Sequence, residues 1–574
     1  MKITFGQGLT DVLGSEAADG FVTDCSGFRF RGGFAELVGG TTSTGVSFTG
    51  NDGGSLAQLY TSANTYVVCS TNSAVGVYTV GGSTTPTAIT RKTEGAVISS
   101  ATAAGTTVTI TTATNHGLVT TDVISVWGFN PSTYNAESVA VTRISATVFT
   151  YVVASAPAVS PATNFGMFSV AGNSHTRVYR GGELSGVLIL NSTTGGCYYW
   201  GGNTAIPIRK VVGSYTARVS VPFGNYIVQL APTIDSVEYP FRICWSNAAE
   251  PGTVPHNGFT AALTNQAGDV DKPEIGEMVW AQPLGDDLIV YGTKGRLVMR
   301  YTGGNDVFKF TKLPGDEGLY DARMVADFPG GHVFVDRDRH IRVHSGGVTK
   351  DISIGRVQNI LGLGRTSGSG DAVSISWVVS HARQNEVWIG YIDPPVAAGF
   401  RSSDALIWNW ENDTWGKAPV SNKNDAISVR SNTTDNLKLY STGGSLSAGM
   451  VILDDNAVSI STASYIERAG IDAGSADTFK NLQRSRWALD TSSSFTPTCT
   501  VYHGSSNFSD TAPTYATGVS YTPGTTDYCN ARATGGRYLA VKLEVTTAAT
   551  PASFPYYQNR VRSADLDFTT GGKR

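Results

Sequence analysis

Along most of the chain apolar and polar residues alternate with a period of two, the spacing of half-buried strands. The alternation comes in pairs of short runs joined by a turn. Such pairs are Asn64–Gly82, Ser185–Asn203, Gly224–Asn247, Asp286–Gly304, Gly330–Gly347, Gln384–Lys417 and Asp435–Gly449. Three of these segments end on Gly-Gly and a fourth on Gly-Gly-Asn, and glycine supplies the positive φ that a tight reversal needs. Recurring hairpins of similar size predict a β-propeller built from four-stranded blades of roughly 40–50 residues. Residues 21–95 and 160–450 would supply about six to eight blades. A series of β-sandwiches is the alternative reading of the same pattern.

Two stretches break the rhythm. Residues 96–156 hold about five short strands, among them TTVTI, DVISVWG, SVAVTRI and TVFTYVV, and read as a small inserted β-module. After residue 450 the strands lengthen and the loops grow, which predicts a C-terminal β-sandwich. The expected fold is therefore all-β: a β-propeller with a small inserted β-module and a C-terminal sandwich, or platform. Its divisions are 1–95 (N-terminal strand and first blades), 96–156 (the inserted module), 157–450 (the remaining blades) and 451–574 (the sandwich). The propeller ring is expected to close by pairing the strand Gly27–Leu37, with a kink at Gly32-Gly33, against the hairpin Leu437–Gly449.

Composition supports this class. Among 574 residues, 66 are glycine and only 15% are charged, while Leu, Met, Glu and Lys are scarce relative to Thr, Ser and Val. Helices draw their exposed faces from the scarce group, so a helical bundle or coiled coil is excluded. The formal net charge of −4 lacks the basic excess of a general nucleic-acid binder. Neither a secretory leader nor an 18-residue apolar span is expected. The six cysteines, Cys25, Cys69, Cys197, Cys244, Cys499 and Cys529, show no CxxC spacing; Cys499 and Cys529 share one β-rich segment as candidate neighbours, and the other reading is separate buried thiols.

Candidate chemistry is sparse. There is no GxxxxGK[ST] and no HExxH. The run Ser367-Gly368-Ser369-Gly370-Asp371 misses the GxSxG frame of a nucleophile elbow and reads as a loop. His332, His340 and His344 gather beside Asp336 and Asp338; a metal site is one reading, a charged solvent-facing turn the other. His116 reads as a turn histidine. The adjacent pairs Asp286-Asp287, Asp316-Glu317 and Asp454-Asp455 point to opposite faces of a strand, which argues against paired-carboxylate glycosidase chemistry. Asn412-Asp413-Thr414-Trp415 lacks the repeated Ser-x-Asp-x-Gly frame of a sialidase propeller. No catalytic centre, metal or cofactor is expected.

Several segments, taken in order, resemble the tail nozzle protein of short-tailed phages, also called tail tubular protein B. Asp24–Phe34 is similar to that family's opening strand and its R-x-R-x-G-F turn, with Arg31 and Gly33. Trp245, Ser246 and Pro251 resemble a W-S-[DN]…P signature. Gly285 and Asp286 lie in a P-L-G-[DN]-x-L-x-V-[FY] blade, and Trp388, Trp410 and Trp415 resemble the blade that follows the 328–347 segment. Arg468, Gly536, Arg537 and Tyr538 look like the family's platform. The 96–156 segment departs from the pattern. It resembles a small β-module of phage structural proteins through His116-Gly117-Leu118, Asp122-Val123-Ile124, Gly128, Tyr134-Asn135 and Phe149-Thr150-Tyr151.

The resemblance implies a structural virion protein of the phage tail, assembled in the host cytoplasm. It implies a homohexameric ring with a central channel that retains packaged double-stranded DNA and conducts it during ejection without sequence-specific binding. Its implied partners are other copies of the chain, an adaptor ring, tail fibres or a needle protein, and the host surface. Two other readings stand beside it, a sialidase-like propeller enzyme and a fibre or spike that binds host glycan. In the latter, Tyr198, Tyr199, Trp200, Trp408 and Trp410 would stack on sugars, against the reading that they are core.

Overall fold

A computed structural model describes residues 1–11, 20–50, 54–255, 258–263, 265–304, 306–361, 375–391, 402–430, 437–443, 448–455, 464–491, 497–509, 511–546 and 560–573. The Ser367–Asp371 run lies outside them. The protein is all-β; the described residues contain no α-helix.

Among the described residues, seven antiparallel blades of four strands make up the propeller, blade three carrying Val237–Glu238 as a short fifth strand. Blade one is Ser55–Tyr60, Thr65–Ser70, Val75–Thr79 and Thr87–Ala88. Blade two runs from Tyr179–Leu184 to Arg209–Lys210, blade three from Thr216–Phe223 to Gly268–Asp271, blade four from Met278–Leu284 to Phe308–Lys312, and blade five from Val325–Phe328 to Val348–Asp351. Blade six is Ile375–His381, Glu386–Tyr391, Ser402–Asn409 and the first part of the long strand Thr414–Arg430. That strand then leaves blade six. At Ser421 and Asn422 the backbone takes two positive φ values, 45° and 59°, and the segment beyond pairs with Leu437–Gly443 as the first strand of blade seven.

Blade seven is completed by Ala448–Asp455 and, outermost, by Gly40–Phe48 from the N-terminal region. The ring thus closes by lending an early strand to the last blade, which removes an open edge. The closing strand is the one after the expected Gly27–Leu37. Phe28 pairs with Lys417, away from 437–449. The reason lies in the Gly32-Gly33 pair. It is a two-residue turn with both φ values positive, 57° and 82°, so Phe28–Arg31 and Phe34–Leu37 fold back on each other as a hairpin.

Neighbouring blades are joined by specific contacts. The Asp425 carboxylate of blade seven accepts the Leu56 N–H of blade one at 2.9 Å. Ser220 of blade three donates to Asn191 of blade two at 2.7 Å. Gln282 of blade four donates to Asp327 of blade five at 2.6 Å. Between these bonds the blade faces bury aliphatic and aromatic side chains, such as Leu59, Val68, Leu188 and Trp200 between blades one and two.

The inserted module runs from Lys92 to Asn173, beyond the expected 96–156 at both ends. Its two sheets are Ile98–Ala104, Thr107–Thr112, Val148–Val152, Thr142–Arg143 and Lys92–Glu94, Met167–Asn173, Val123–Trp127, Ala136–Ala140. They enclose a separate core around Ile110, Tyr134 and Phe149. The insertion sits between blades one and two, so residues 1–95 contribute one whole blade and one strand, fewer than the expected first blades.

The platform is a sandwich of two sheets. One contains Asp24–Ser26, Ser464–Ile471, Tyr538–Thr546 and Thr498–Ser506; the other contains Lys2–Thr4, Arg560–Lys573, Thr478–Asp490 and Cys529–Gly536. Phe5 and Trp487 stack inside it at 5.5 Å. The platform therefore begins at the N-terminus as well as near residue 464. The division at 451 also falls early, because Ala448–Asp455 belongs to blade seven.

Candidate functional site: a buried charged joint and the axial cavity

The hairpin Phe28–Leu37 does more than reverse the chain. One side pairs with Thr414–Arg430 of blade six and the other with Arg560–Lys573 of the platform. A single sheet thereby runs from blade six through the hairpin into the platform. Close approach is built into it: a Cβ on Gly416 would stand 2.4 Å from the Phe28 carbonyl oxygen.

Phe28 and Phe30 face apolar cores, while Arg29 between them is buried among charges. The Arg29 guanidinium donates from Nη1 to Glu386 Oε1 and Oε2 at 3.1 and 3.0 Å and from Nη2 to Asp454 Oδ1. His381 Nε2 lies 3.1 Å from Asp454 Oδ2. The Gly39 N–H donates to Asp454 at 2.8 Å and the Trp388 indole to Glu386 at 3.0 Å. All four charged or ionisable side chains are at most 4% exposed. The cluster ties the hairpin (Arg29), blade six (Glu386, His381) and blade seven (Asp454) to one point.

Burial raises the Glu386 carboxyl above the ordinary range, with Arg29 opposing. Burial acts the same way on Asp454, but the Arg29 charge and the His381 hydrogen bond outweigh it and hold that carboxyl well below its usual value. Burial disfavours the Arg29 cation, and the attraction of Asp454 and Glu386 reverses that and raises it. An ion cluster of this kind is costly to break, because a lost partner leaves an uncompensated buried charge.

The signature positions fall as follows. Arg31 donates to Glu36 and, at 2.5 Å, to Gln384 of blade six. Gly33 is in the hairpin turn, Trp388 is in the joint, and the buried Trp415 indole donates to the Ile352 carbonyl at 3.2 Å. Trp410 packs on Phe328 of blade five. These five positions surround the hairpin and blades five and six. The others lie elsewhere. Trp245 donates to the Gln266 carbonyl and packs on Phe308. The buried Ser246 hydroxyl accepts from Ile227 N–H and donates to the Asn247 carbonyl. Pro251 is in an exposed turn. Gly285 and Asp286 form the first hairpin turn of blade four. Arg468, Gly536, Arg537 and Tyr538 are in the platform, where the Arg537 carbonyl accepts from the buried Lys480 ammonium at 2.7 Å.

A second feature is the cavity on the propeller axis, about 260 Å³ in volume. Six of the seven blades line it, through residues such as Gln58, Glu183, Trp280, Asp327, Ser380 and Ser428. The buried Gln58 Oε1 and Ser428 Oγ have no hydrogen-bond partner among the described residues. The space suits several water molecules and is far too small for a nucleic-acid duplex.

The histidine segment divides in two. Arg337 and Asp338, at the reversal, are exposed as a charged turn, while His332, His344 and Asp336 beside it are buried. His332 bridges the Tyr291 hydroxyl and the Pro283 carbonyl at 2.8 and 2.9 Å. His344 Nδ1 accepts from Arg296 at 3.3 Å, while His340 pairs separately with Asp351. Asp336 caps the turn by accepting from the backbone of Asp338 and His340 and pairs with Arg342. Among the described residues no group of three His, Cys, Asp or Glu is placed to hold a metal ion. His116 is a buried turn histidine that accepts the Leu118 N–H at 3.0 Å and packs on Phe149.

Of the aromatics considered for sugar stacking, Tyr198, Trp200 and Trp408 are buried core, and Tyr199 and Trp410 are half-buried. All six cysteines are free and buried, and burial pushes the Cys499 thiol up to about 12.

No family model and no curated protein matches the chain. Solved structures to which it is similar include the computationally designed Ika8 protein, at 10% identity, a TM-score of 0.32, and coverage of 72% of this chain and 99% of that one. Apo AztD from Citrobacter koseri follows at 10% identity, TM-score 0.28, and 68% and 88% coverage. The phage phi92 endosialidase stands at 11% identity, TM-score 0.23, and 64% and 63% coverage.

Proposed function

We propose that this chain is a structural virion protein, the subunit of a ring-shaped tail nozzle in a short-tailed phage. The observation that carries the reading is the continuous sheet from blade six through the Phe28–Leu37 hairpin to the platform, pinned by Arg29, Glu386, Asp454 and His381. A subunit that lines a pressurised conduit needs its propeller and platform to move as one body, and this joint makes them one. Family-like positions Arg31, Gly33, Trp388 and Trp415 gather at the same joint. The propeller's own axis is too narrow for a duplex, so the DNA passage of this reading lies between copies arranged head to tail around a closed ring. A net charge of −4 suits a conduit, since basic walls would hold phosphates in proportion to the contacts made.

Mass photometry of purified tails tests the proposal. A six-copy ring of this chain attached to an adaptor ring is the expected result. A stable trimer, or a chain recovered apart from any ring, overturns it.

A further inference from the structure

A wide cleft opens between the hairpin ends of blades two, three and four, with a volume of about 1180 Å³. Its floor is aromatic. Phe308 sits at the centre, 5.1 Å from Tyr226, 5.8 Å from Phe223, 5.5 Å from Trp245 and 5.9 Å from Tyr301, ring centre to ring centre. Four of these rings are buried or half-buried, but Tyr301 is 51% exposed at the edge of the cluster. Phe308 and Tyr226 support it, and about half of its surface is open at the cleft.

The rim is polar and fixed. The Asp287 carboxylate accepts two hydrogen bonds from Arg300, both 2.6 Å. Asp286 beside it is exposed in the turn, as are Asn225 and Glu183 on the facing elements. The Tyr226 hydroxyl donates to Gln266 Oε1 at 2.8 Å, which orients that amide at the rim. The charged residues lining the cleft are Glu183, Asp286, Asp287 and Arg300, so the charged lining is net acidic.

We propose that this cleft binds a neutral oligosaccharide. A pyranose ring has an apolar C–H face and an equatorial belt of hydroxyls. The face matches a supported, half-exposed tyrosine ring. Hydroxyls are donors that carboxylates and amide oxygens accept, and acceptors for Arg300 and Asn225. The volume fits more than one sugar unit. Excess negative charge excludes sialylated, uronic or phosphorylated sugars and nucleic acid, because each would bring a like charge to the rim. The site is distinct from the buried aromatics Tyr198, Trp200 and Trp408, and it does not depend on the nozzle reading, which concerns assembly.

Saturation-transfer NMR on the full chain tests it. Maltotetraose, mannotetraose and galactotetraose serve as neutral probes and sialyllactose as the anionic one. Expected is transfer to ring C–H protons of at least one neutral probe, none to sialyllactose, and an affinity lowered at least tenfold by Tyr301→Ala. Asp286→Asn should weaken the same probe, whereas Phe508→Ala, an exposed aromatic of the platform, should not. Thermal melts of the variants establish that each is folded. No transfer to any neutral probe overturns the proposal, and so does a preference for sialyllactose or binding unchanged in a folded Tyr301→Ala protein. Because these measurements need no ring, their failure is separable from failure of the six-copy assembly.

Discussion

Arg29 Nη1 lies 3.0 Å from Glu386 Oε2, 357 positions away in the chain, and neither side chain reaches solvent. Replacing Arg29 by Met leaves Glu386 and Asp454 as buried carboxylates with only His381 to offset them. The expected loss is about 3–5 kcal/mol. Removing one partner of the exposed Arg562–Asp490 pair should cost less than about 1 kcal/mol. Urea unfolding of the two variants checks the contrast, and similar losses would remove the joint from its structural role.

Acid should weaken the protein before carboxylate protonation dominates. Burial, helped by Arg296 and His332, pulls the His344 imidazole down to about 4, and burial does the same to His503. Unfolded histidine titrates near ~6.5, so between these values the unfolded chain binds more protons. This stability is complete above about pH 6.5 and is lost as pH falls toward the folded values, on the order of 2 kcal/mol for each histidine. Glu386 acts in the opposite sense, because burial raises its carboxyl, so the net slope is smaller than the histidines alone would give. Melting temperatures from pH 7 to 4.5 should fall, and the double variant His344→Gln, His503→Gln should flatten the curve.

Ring closure has its own signature. Phe48 and Val46 on the closing strand pack with Ile427, Tyr440 and Met450 between blades seven and one. Phe48→Ala should cost about 3–5 kcal/mol. Hydrogen exchange should accelerate in Ala448–Asp455 and Ser55–Tyr60 together, while Tyr538–Thr546 in the platform keeps its protection. Acceleration confined to Gly40–Phe48 would show that the strand is an ornament on an already closed ring.

The inserted module should be removable. Arg91 and Ser174 are bonded backbone to backbone at 3.1 Å, and the Arg91 side chain also holds the Ser174 carbonyl. The module touches blade two through the Trp127 indole, which donates to the Lys210 carbonyl at 3.2 Å, and through Arg209 with Glu137. Joining residue 91 to 174 by a short Gly-Ser link should leave a soluble, cooperatively melting protein. Loss of soluble protein with that excision, but not with Trp127→Ala, would mean that the module completes blade two.

Alternation and turn residues made the all-β class and the hairpin blades legible, because each strand's period of two and each glycine turn are local properties. The insertion was legible for the same reason, although its end strands, Lys92–Glu94 and Met167–Asn173, were not. They pair across the whole module, and nothing local marks either as the other's partner. Gly32-Gly33 carried the turn signal openly, but a bulge and a two-residue hairpin share that dipeptide. Only the partner strands, Thr414–Arg430 on one side and Arg560–Lys573 on the other, decide between them.

What the sequence determined by itself was therefore strand content, blade rhythm and the aromatic residues that fill the core. Tertiary structure alone decided which strand closes the ring, where Arg29 finds its carboxylates, and that Tyr301 rather than Trp200 faces solvent. Each of these depends on contacts between segments far apart in sequence. Their free energy comes from burial and charge pairing at a distance, for which a one-dimensional pattern holds no term.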